Sequence, residues 1–389
     1  MRLFLLEPAN PGAAWAAFTA VRPLAELRAG VWKIRERWEA AVDLDTTAIV
    51  GGAAPDFYEG FEPPMARAEA ITGPAVVASS AFAPFGAALH LAPETRRLTH
   101  AGVSVGWILP AGAVWHGPSD DGPALEIEGR SLHGCFDLLS ALEHFLAPDC
   151  LGFAPGGADP IPSGSLVLGD PALVICRGAL VEPGVVFDTR AGAVVLEAGV
   201  EVRHGSRLEG PLYAGAKSRL LGGHLRASVF GPRCSVKGEI SSSLFLGYAN
   251  KSHDGFVGHS VLGHWVNLGA GTTTSNLKNT YGEVALEVAG QRIATGRQFL
   301  GTLFGDHAKT AIGTMLSTGT VVGAGANLFG GVAVPKYVPP MAWGSDGRVQ
   351  MTSEGFLKVA ERVLPRRDVA FTPEIRASLS ATYHRLARP

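Results

Sequence analysis

The stretch FGDHAKTAIGTMLSTGTVVGAGANLFGGVAV, from Phe304 to Val334, repeats an apolar residue or threonine at every sixth position. The residues in this register are Phe304, Thr310, Leu316, Val322, Leu328 and Val334. A period of six is neither the 3.6 of a helix nor the 2 of a plain strand. It indicates a parallel β-helix, in which each hexad forms one face of a triangular coil and the register residue points inward. Three hexads then make a coil of about 18 residues.

The same period extends back to residue 168, with a two-residue slip at Gly192-Ala193. The earlier residues in register are Leu168, Val174, Leu180, Val186, Val194, Val200, Ser206, Leu212, Ser218, Phe230, Val236, Leu262, Leu268 and Thr274. A Gly-rich loop region does not hold a register through so many steps, so the pattern favours the β-helix. Segments 243–256 and 277–303 break the period, and the second contains a hairpin-like alternation that turns at Ala289-Gly290. Such insertions often build the binding face of a solenoid.

The residues outside the repeat predict two further parts. Residues 1–150 alternate short apolar strands (LFLLE, TAIVGG, AVVASS, SVGWILP) with helical candidates (PLAELRAGVWKIRERWEA, CFDLLSALEHFLA), which is typical of an α/β domain. A Pro/Gly-rich linker follows around 147–165, and two helices with Ser353 and Thr372 as N-caps close the chain. We therefore predict an α/β domain over 1–155, a β-helix over 165–345 and a helical tail over 346–389.

Composition excludes several classes of protein. The 389 residues exceed one ordinary core, and a net charge of −2 argues against a nucleic-acid or membrane-surface partner. No apolar run reaches the roughly 20 residues of a membrane span, and MRLFLLEPANPG predicts a first strand rather than a signal peptide. The four cysteines form no CxxC pair, which favours free thiols and a cytoplasmic location over disulfides or a thiolate zinc site.

The stretch KSHDGFVGHSVLGHWVNLGAGTTTSN, residues 251–276, resembles the acetyltransferase motif of the bifunctional family that makes UDP-N-acetylglucosamine. That family joins an N-terminal sugar-1-phosphate uridyltransferase domain to a C-terminal left-handed β-helix. The segments FTAVRPLAELRAGVWKIRERW (18–38) and GDHAKTAIGTMLSTGTVVGAG (305–325) are similar to signatures of a variant branch with the same layout. The resemblance covers essentially the whole chain, and its middle motif is the most specific.

The resemblance implies acetyl transfer from acetyl-CoA to an amino-sugar 1-phosphate such as glucosamine 1-phosphate, with His253 as the catalytic residue. Histidine is the side chain that most often acts as a general base. The implied substrate-binding residues are Lys237, Lys251, Phe256, Asn267, Asn276 and Lys278. The implied acetyl-CoA-binding residues are Ala270, Thr314 and Gly330. The alternatives are a surface histidine, asparagines that only bridge coils, and surface lysines.

The sequence also departs from the better-known family. Phe256 replaces a tyrosine, and SNLKN replaces an Asn-Tyr-Asp-Gly segment, so the acceptor sugar stays open. The Gly-rich nucleotide loop is missing from LLEPANPGAAWAAFTAVRP, where Arg22 and Arg28 are the candidate nucleotide-binding residues. Mg²⁺ is expected if this half transfers nucleotides, but no pair of aspartates for it can be assigned.

Two other functions compete with this interpretation. His259 and His264 predict a zinc site like that of β-helix carbonic anhydrases, if a neighbouring chain completes it. The degraded loop instead favours a non-catalytic scaffold that binds nucleotide sugars. The partners expected from the resemblance are a sugar phosphate, acetyl-CoA and a nucleoside triphosphate, and the expected assembly is a homotrimer.

Overall fold

The computed structural model describes residues 1–86, 88–330, 334–344 and 347–387. Its N-terminal part is built on a seven-stranded mixed sheet. Across the sheet, the strands are Ala124–Glu126, Arg97–His100, Val103–Leu109, Ala75–Ser79, Arg2–Glu7, Thr46–Gly51 and Met65–Ala66. Helices α1 (Ile34–Val42) and α2 (Asp137–Leu151) bury their apolar side chains in the same core. The α/β prediction for this region is confirmed.

The helix predicted over PLAELRAGVWKIRERWEA is wrong in its first half. A short 3-10 turn at Leu24–Glu26 leads into a two-stranded hairpin, Arg28–Ala29 with Trp32–Lys33, and α1 begins only after it. Gly30 makes the hairpin turn with φ +73°, and a side chain there would collide with Asp149, Phe145 and Arg37. The linker expected from residue 147 also starts later, because α2 continues through Pro148.

Short elements complete the description of the strands and helices. Phe82–Pro84 pairs antiparallel with Gly129–Ser131. The remaining 3-10 turns are Ala13–Trp15, Ala68–Ala70, Ala154–Gly156, Pro171–Leu173 and Leu364–Arg367.

The second part is a parallel β-helix with three faces, which confirms the predicted fold class. Face A contains Leu180–Val181, Glu201–Val202, Asn250–Lys251, Asn267–Leu268, Lys309–Thr310 and Asn327–Leu328. Face B contains Leu166–Leu168, Val186–Asp188, Ser206–Glu209, Phe256–Gly258, Thr273–Thr274 and Met315–Leu316. The long strands Arg219–Arg226 and Ser235–Ser241 run through both faces. Face C contains Val174–Cys176, Val194–Leu196, Leu212–Ala214, Val229–Phe230, Leu244–Phe245, Val261–Leu262, Thr302–Phe304, Thr320–Val322 and Tyr337–Val338.

The six-residue register forms the interior of the β-helix for most of its length. Phe230, Val236 and Val322 are fully buried in one continuous apolar cluster. The start of the β-helix is the exception: Leu180 is 68% exposed, and the interior positions are taken by Val167, Val181 and Phe187, each one residue away from the predicted register. The register prediction is therefore wrong for Leu168, Leu180 and Val186.

The outward side chains of face C join the core of the N-terminal part. Val195, Tyr213, Val261 and Leu303 are buried against that part in one cluster. Alternate residues of each face C strand therefore belong to two different cores, as expected of a strand buried on both sides. The two architectures share an apolar interface, and the exact domain boundaries stay a prediction.

The insertion within 277–303 and the tail leave the coil where the sequence predicts. The break predicted over 243–256 is wrong, because Leu244–Phe245, Asn250–Lys251 and Phe256–Gly258 each pair with the preceding coil. The hairpin Val284–Val288 with Gln291–Arg297 turns at Ala289-Gly290, as predicted. The tail consists of α3 (Ser353–Val363), the 3-10 turn at its end, and α4 (Pro373–Leu386). The hydroxyl of Thr372 caps α4 as predicted, whereas α3 is capped by Thr352 and not by Ser353. The predicted boundary at 345/346 and residues 388–389 lie outside the described residues.

None of the helices within the described ranges is long and apolar enough to cross a membrane. The cytoplasmic location stays a prediction.

Candidate functional site

A pocket of about 510 Å³ lies between face A and the tail. It is lined by Arg219, Ser235, Tyr248, Asn250, Ser252, His253, Trp265, Val266, Asn267, Lys309, Val363, Arg366 and Arg367. Two residues predicted from the resemblance, His253 and Asn267, therefore meet in one cavity. None of the described residues that line it is acidic.

His253 sits at the corner of the coil between faces A and B. This corner lies between the strands Asn250–Lys251 and Phe256–Gly258, and the side chain of His253 is exposed. The corner is fixed from inside, because the Lys251 ammonium donates to the backbone carbonyls of His253 and Asp254, the latter at 3.0 Å. Lys251 is fully buried, and burial lowers its pKa to about 8. The structure thus places Lys251 behind the catalytic candidate, where it holds the turn, and not among the groups that line the pocket.

The polar wall of the pocket is a ladder of asparagines on face A. The Asn250 amide donates to Asn267 Oδ1 at 2.8 Å, one coil away. The Ser252 hydroxyl donates to Asn250 Oδ1 at 2.6 Å. Asn267 therefore bridges two coils and also borders the cavity, so the structural and the substrate-binding interpretations are compatible.

Four cations surround the same cavity. The Lys309 ammonium donates to the carbonyl of His307 at 3.1 Å, and burial lowers the pKa of this amine to about 8. Arg219 approaches Glu201 at 3.5 Å, outside the pocket lining. The other two, Arg366 and Arg367, belong to the tail. Sequence reasoning missed all four; the pair of arginines in PRRD was a visible signal, but nothing in the sequence showed which face the tail covers.

A second group of predicted residues lies on face B and outside this pocket. The Asn276 side-chain amide donates to His259 Nδ1 at 2.8 Å, and the His259 ring stacks on Phe299 at 5.1 Å between centroids. The ring of Phe256 packs against Gly258, and a Cβ on this glycine would lie 2.5 Å from the ring. Burial lowers the pKa of His259 to about 4. Phe256 and Asn276 are therefore separated from the pocket by the corner that carries His253.

The predicted acetyl-CoA residues follow the same corner along the axis of the β-helix. The N–H of Gly271 donates to the Asp254 carbonyl at 2.9 Å, and the N–H of Gly313 donates to Ala270 at 2.7 Å. Ala270 thus lies one coil after His253, and Thr314 follows one coil later. The Thr314 hydroxyl is used within its own turn, donating to Ala311 O at 2.8 Å. Gly330, with φ +78°, has open space where a side chain would be.

The two remaining lysine candidates do not line the pocket. Lys237 pairs with Asp254 at 3.2 Å, close to the corner. Lys278 donates to the backbone carbonyl of Glu283 within the insertion.

The N-terminal loop differs from a free nucleotide site. The Glu7 carboxylate accepts the N–H groups of Leu24 and Ala25 at 2.7 and 3.0 Å, and burial raises its pKa. Arg22 is buried and pairs with Glu59 at 2.7 Å and with Asp306 at 2.8 Å. The cavity that these residues border holds only about 10 Å³.

The other nucleotide candidate and the expected metal find no ligand site in this region either. Arg28 is buried and donates to the backbone carbonyl of Leu246 in the β-helix at 3.0 Å. Within the described ranges, no three His, Cys, Asp or Glu residues are grouped to hold a metal ion. The Mg²⁺ that the resemblance implies stays a prediction.

His264 belongs to the network around Arg22 and not to a metal site. Its Nδ1 lies 3.0 Å from Glu59 Oε2, and its backbone N–H donates to Asp306 at 2.9 Å. His259 occupies a different corner of the coil, with Asn276 as its partner. This arrangement does not support the zinc alternative.

Comparison with known proteins gives partial matches in the C-terminal region. A bifunctional sugar-1-phosphate nucleotidylyltransferase/acetyltransferase of Sulfurisphaera tokodaii is 36% identical over 100 residues, which is 26% of this chain and 25% of that protein. The bifunctional protein GlmU of Methanococcus vannielii is 34% identical over 86 residues, 22% of this chain and 20% of that protein. The protein of the same name from Methanocaldococcus jannaschii is 30% identical over 86 residues, 22% of this chain and 21% of that protein.

These matches confirm the resemblance for that region. The chain spans a quarter or less of the length of the curated relatives it matches. No family model matches it.

Proposed function

We propose that the protein is an acyltransferase that moves the acetyl group of acetyl-CoA to the amine of an amino-sugar 1-phosphate such as glucosamine 1-phosphate. The observation that carries the proposal is the meeting of His253 and Asn267 in one pocket rich in cations. The names of the relatives are consistent with it. The acceptor sugar, the cytoplasmic location and a role in nucleotide-sugar synthesis remain part of the proposal.

The net reaction replaces the C–S bond by a C–N bond and moves one proton from nitrogen to sulfur. The amine attacks the thioester carbonyl, the imidazole of His253 accepts the amine proton, the C–S bond breaks, and the imidazolium returns the proton to the leaving thiolate. Such a base contributes about 10²–10⁴-fold to the rate. Asn250 and Asn267 offer amide groups to sugar hydroxyls, and the cations offer partners to the phosphate.

The coenzyme would run along the corner past Ala270 and Thr314. This ridge also carries Ile312, which is 78% exposed, and Met315, which is 59% exposed. Exposed apolar residues beside a site favour contact with another chain. We therefore retain the homotrimer as part of the proposal, and a monomer by light scattering would refute it.

Nucleotidyl transfer by the N-terminal part is the less supported half of the proposal. Its loop has neither an unpaired cation nor room for a phosphate, as described for Arg22 and Glu7. The second candidate function is a non-catalytic scaffold that binds nucleotide sugars. It predicts ligand binding without turnover.

One experiment separates these functions. Purified protein is given glucosamine 1-phosphate, acetyl-CoA, UTP and Mg²⁺, and free thiol and pyrophosphate are followed separately. We expect thiol release that falls by about 10²–10⁴-fold in His253→Ala. The control is His116→Ala, at an exposed histidine of the N-terminal part. Thiol release that is unchanged in His253→Ala would refute the base, and binding without release of either product would favour the scaffold.

A further inference from the structure

The tail brings two adjacent arginines to the pocket in a fixed position. Arg366 and Arg367 end the 3-10 turn Leu364–Arg367. Leu364 is 2% exposed and packs against Trp265, Ala360 and Ile375. The turn is also tied to the β-helix by an ion pair between Arg233 and Asp368 at 2.5 Å. The arginines are therefore held by packing and are not carried on a loose end.

Arg367 faces the β-helix without a carboxylate partner. Its Nη2 donates to Ser235 Oγ at 3.3 Å and to Asn250 Oδ1 at 3.4 Å. Its Nε is shielded from solvent and has no acceptor in the described part of the chain. Burial, and then the like charges of Arg219 and Arg366, lower the pKa of this guanidinium. Arg366 likewise forms no ion pair with any described residue, so the pair of guanidinium groups is not neutralised by the protein.

Uncompensated cations around a cavity stabilise an anion that enters it. Each positive charge disfavours the charged forms of its neighbours, whereas a bound dianion favours the charged form of all of them. Planar guanidinium groups match the oxygens of a phosphate in pairs, and an ammonium adds a point charge. Ser235 and Asn250 add neutral groups beside them.

We propose that Arg366 and Arg367, together with Lys309, bind a phosphomonoester dianion in this pocket, which Arg219 also lines beside its partner Glu201. This assignment rests on the proposed function in one respect: the phosphate belongs to one of the two substrates of acyl transfer. Lys237 and Lys251, two of the substrate-binding residues that the resemblance implies, are not included because neither lines the pocket: one pairs with Asp254 and the other is enclosed behind the corner.

Two substrates carry a phosphomonoester, the sugar 1-phosphate and the 3′-phosphate of coenzyme A. The chemistry of recognition is the same, so the source is decided by matched ligands. One arm compares glucosamine 1-phosphate with glucosamine. The other arm compares acetyl-CoA with acetyl-dephospho-CoA, which lacks the 3′-phosphate.

The test is equilibrium binding by calorimetry, with inorganic phosphate as the simplest probe and with the two ligand pairs. The variants are Arg367→Gln and Arg366→Gln; the second is exposed, which protects the test against misfolding. The control is Arg362→Gln, an exposed arginine in the last turn of α3 that does not line the pocket. We expect each pocket variant to weaken phosphate binding by about 10- to 100-fold, since hydrogen bonds to charged groups are the strong ones. The control is expected to bind like the unmodified chain.

Each outcome decides the proposal. Loss of affinity for glucosamine 1-phosphate but not for glucosamine assigns the pocket to the sugar. Loss for acetyl-CoA but not for its dephospho form assigns it to the coenzyme. Unchanged phosphate binding in both pocket variants, or no binding by the unmodified chain, would overturn it. Because turnover is not needed, phosphate binding without thiol release would leave this assignment standing while the proposed function fails.

Discussion

The molecule contains two places where a phosphate is expected, and they differ in what their cations already touch. In the N-terminal loop, Arg22 is neutralised by Glu59 and Asp306, and the nearby N–H donors are held by Glu7. In the pocket under the tail, Arg366 and Arg367 have no carboxylate partner among the described residues. Arginine therefore links two parts of the chain in the N-terminal loop, whereas in the pocket under the tail it has no protein carboxylate and can bind an anion. A basic residue indicates an anion site only when the fold leaves its charge uncompensated.

The strongest test of this contrast is to remove Arg22. Arg22→Met leaves the buried Asp306 and the mostly enclosed Glu59 without their shared cation. Breaking a buried ion pair from one side destabilises by about 3–5 kcal/mol. We expect the urea concentration at the midpoint of unfolding, measured by tryptophan fluorescence, to fall strongly. Arg67→Met, at an exposed arginine, is the control. If Arg22→Met is as stable as its control, the network does not join the two parts, and a ligand role for Arg22 regains support.

A second test asks whether Glu7 stands where an anion would bind. Glu7→Ala removes the acceptor of two buried N–H groups and should lower the free energy of unfolding by about 1–3 kcal/mol. Added inorganic phosphate should then raise the melting temperature of this variant more than that of the unmodified chain. The exposed Glu69→Ala serves as the matched control. Equal shifts in all three proteins would show that the loop has no latent anion site.

The same contrast shows how far sequence reasoning reaches. The six-residue register places Phe230 and Val322 in the interior because inward positions repeat with the coil, and local spacing is enough to detect them. The motif likewise brings His253 and Asn267 together, since both lie within one coil's length of sequence. Arg366 and Arg367 escape prediction because their position depends on how Leu364 packs against Trp265, a contact across about a hundred residues.

Two local errors have the same origin. The helix expected through Gly30 fails because that glycine turns a hairpin in close contact with α2. Leu180 follows the hexad spacing yet lies outside, because its neighbour Val181 packs against the interior and pairs with the buried Val202. In both cases tertiary packing overrides a pattern that is correct elsewhere in the chain.

The charge of Lys309 gives the pocket a pH dependence. The pKa of this amine is lowered to about 8, so it is cationic below that pH and neutral above it. Phosphate affinity should therefore fall as the pH rises from 7 to 9, by about 10-fold at most for one lost charge. Arginine side chains in general do not titrate in this range. Calorimetry at the two pH values measures the drop in phosphate affinity. In Lys309→Arg this drop should disappear. A drop of the same size in that variant would assign the pH dependence to another group.

The smallest expected effect concerns the ion pair that ties the tail to the β-helix. Arg233 pairs with Asp368, whose side chain is 77% exposed, and exposed pairs contribute about 0–1 kcal/mol. Arg233→Gln should therefore weaken phosphate binding by no more than about fivefold, because packing of Leu364 still holds the arginines in place. The measurement is the same calorimetric titration used for Arg367→Gln. A loss as large as in Arg367→Gln would mean that the pocket is organised by this surface pair, and that the cations under the tail depend on protein carboxylates as much as Arg22 does.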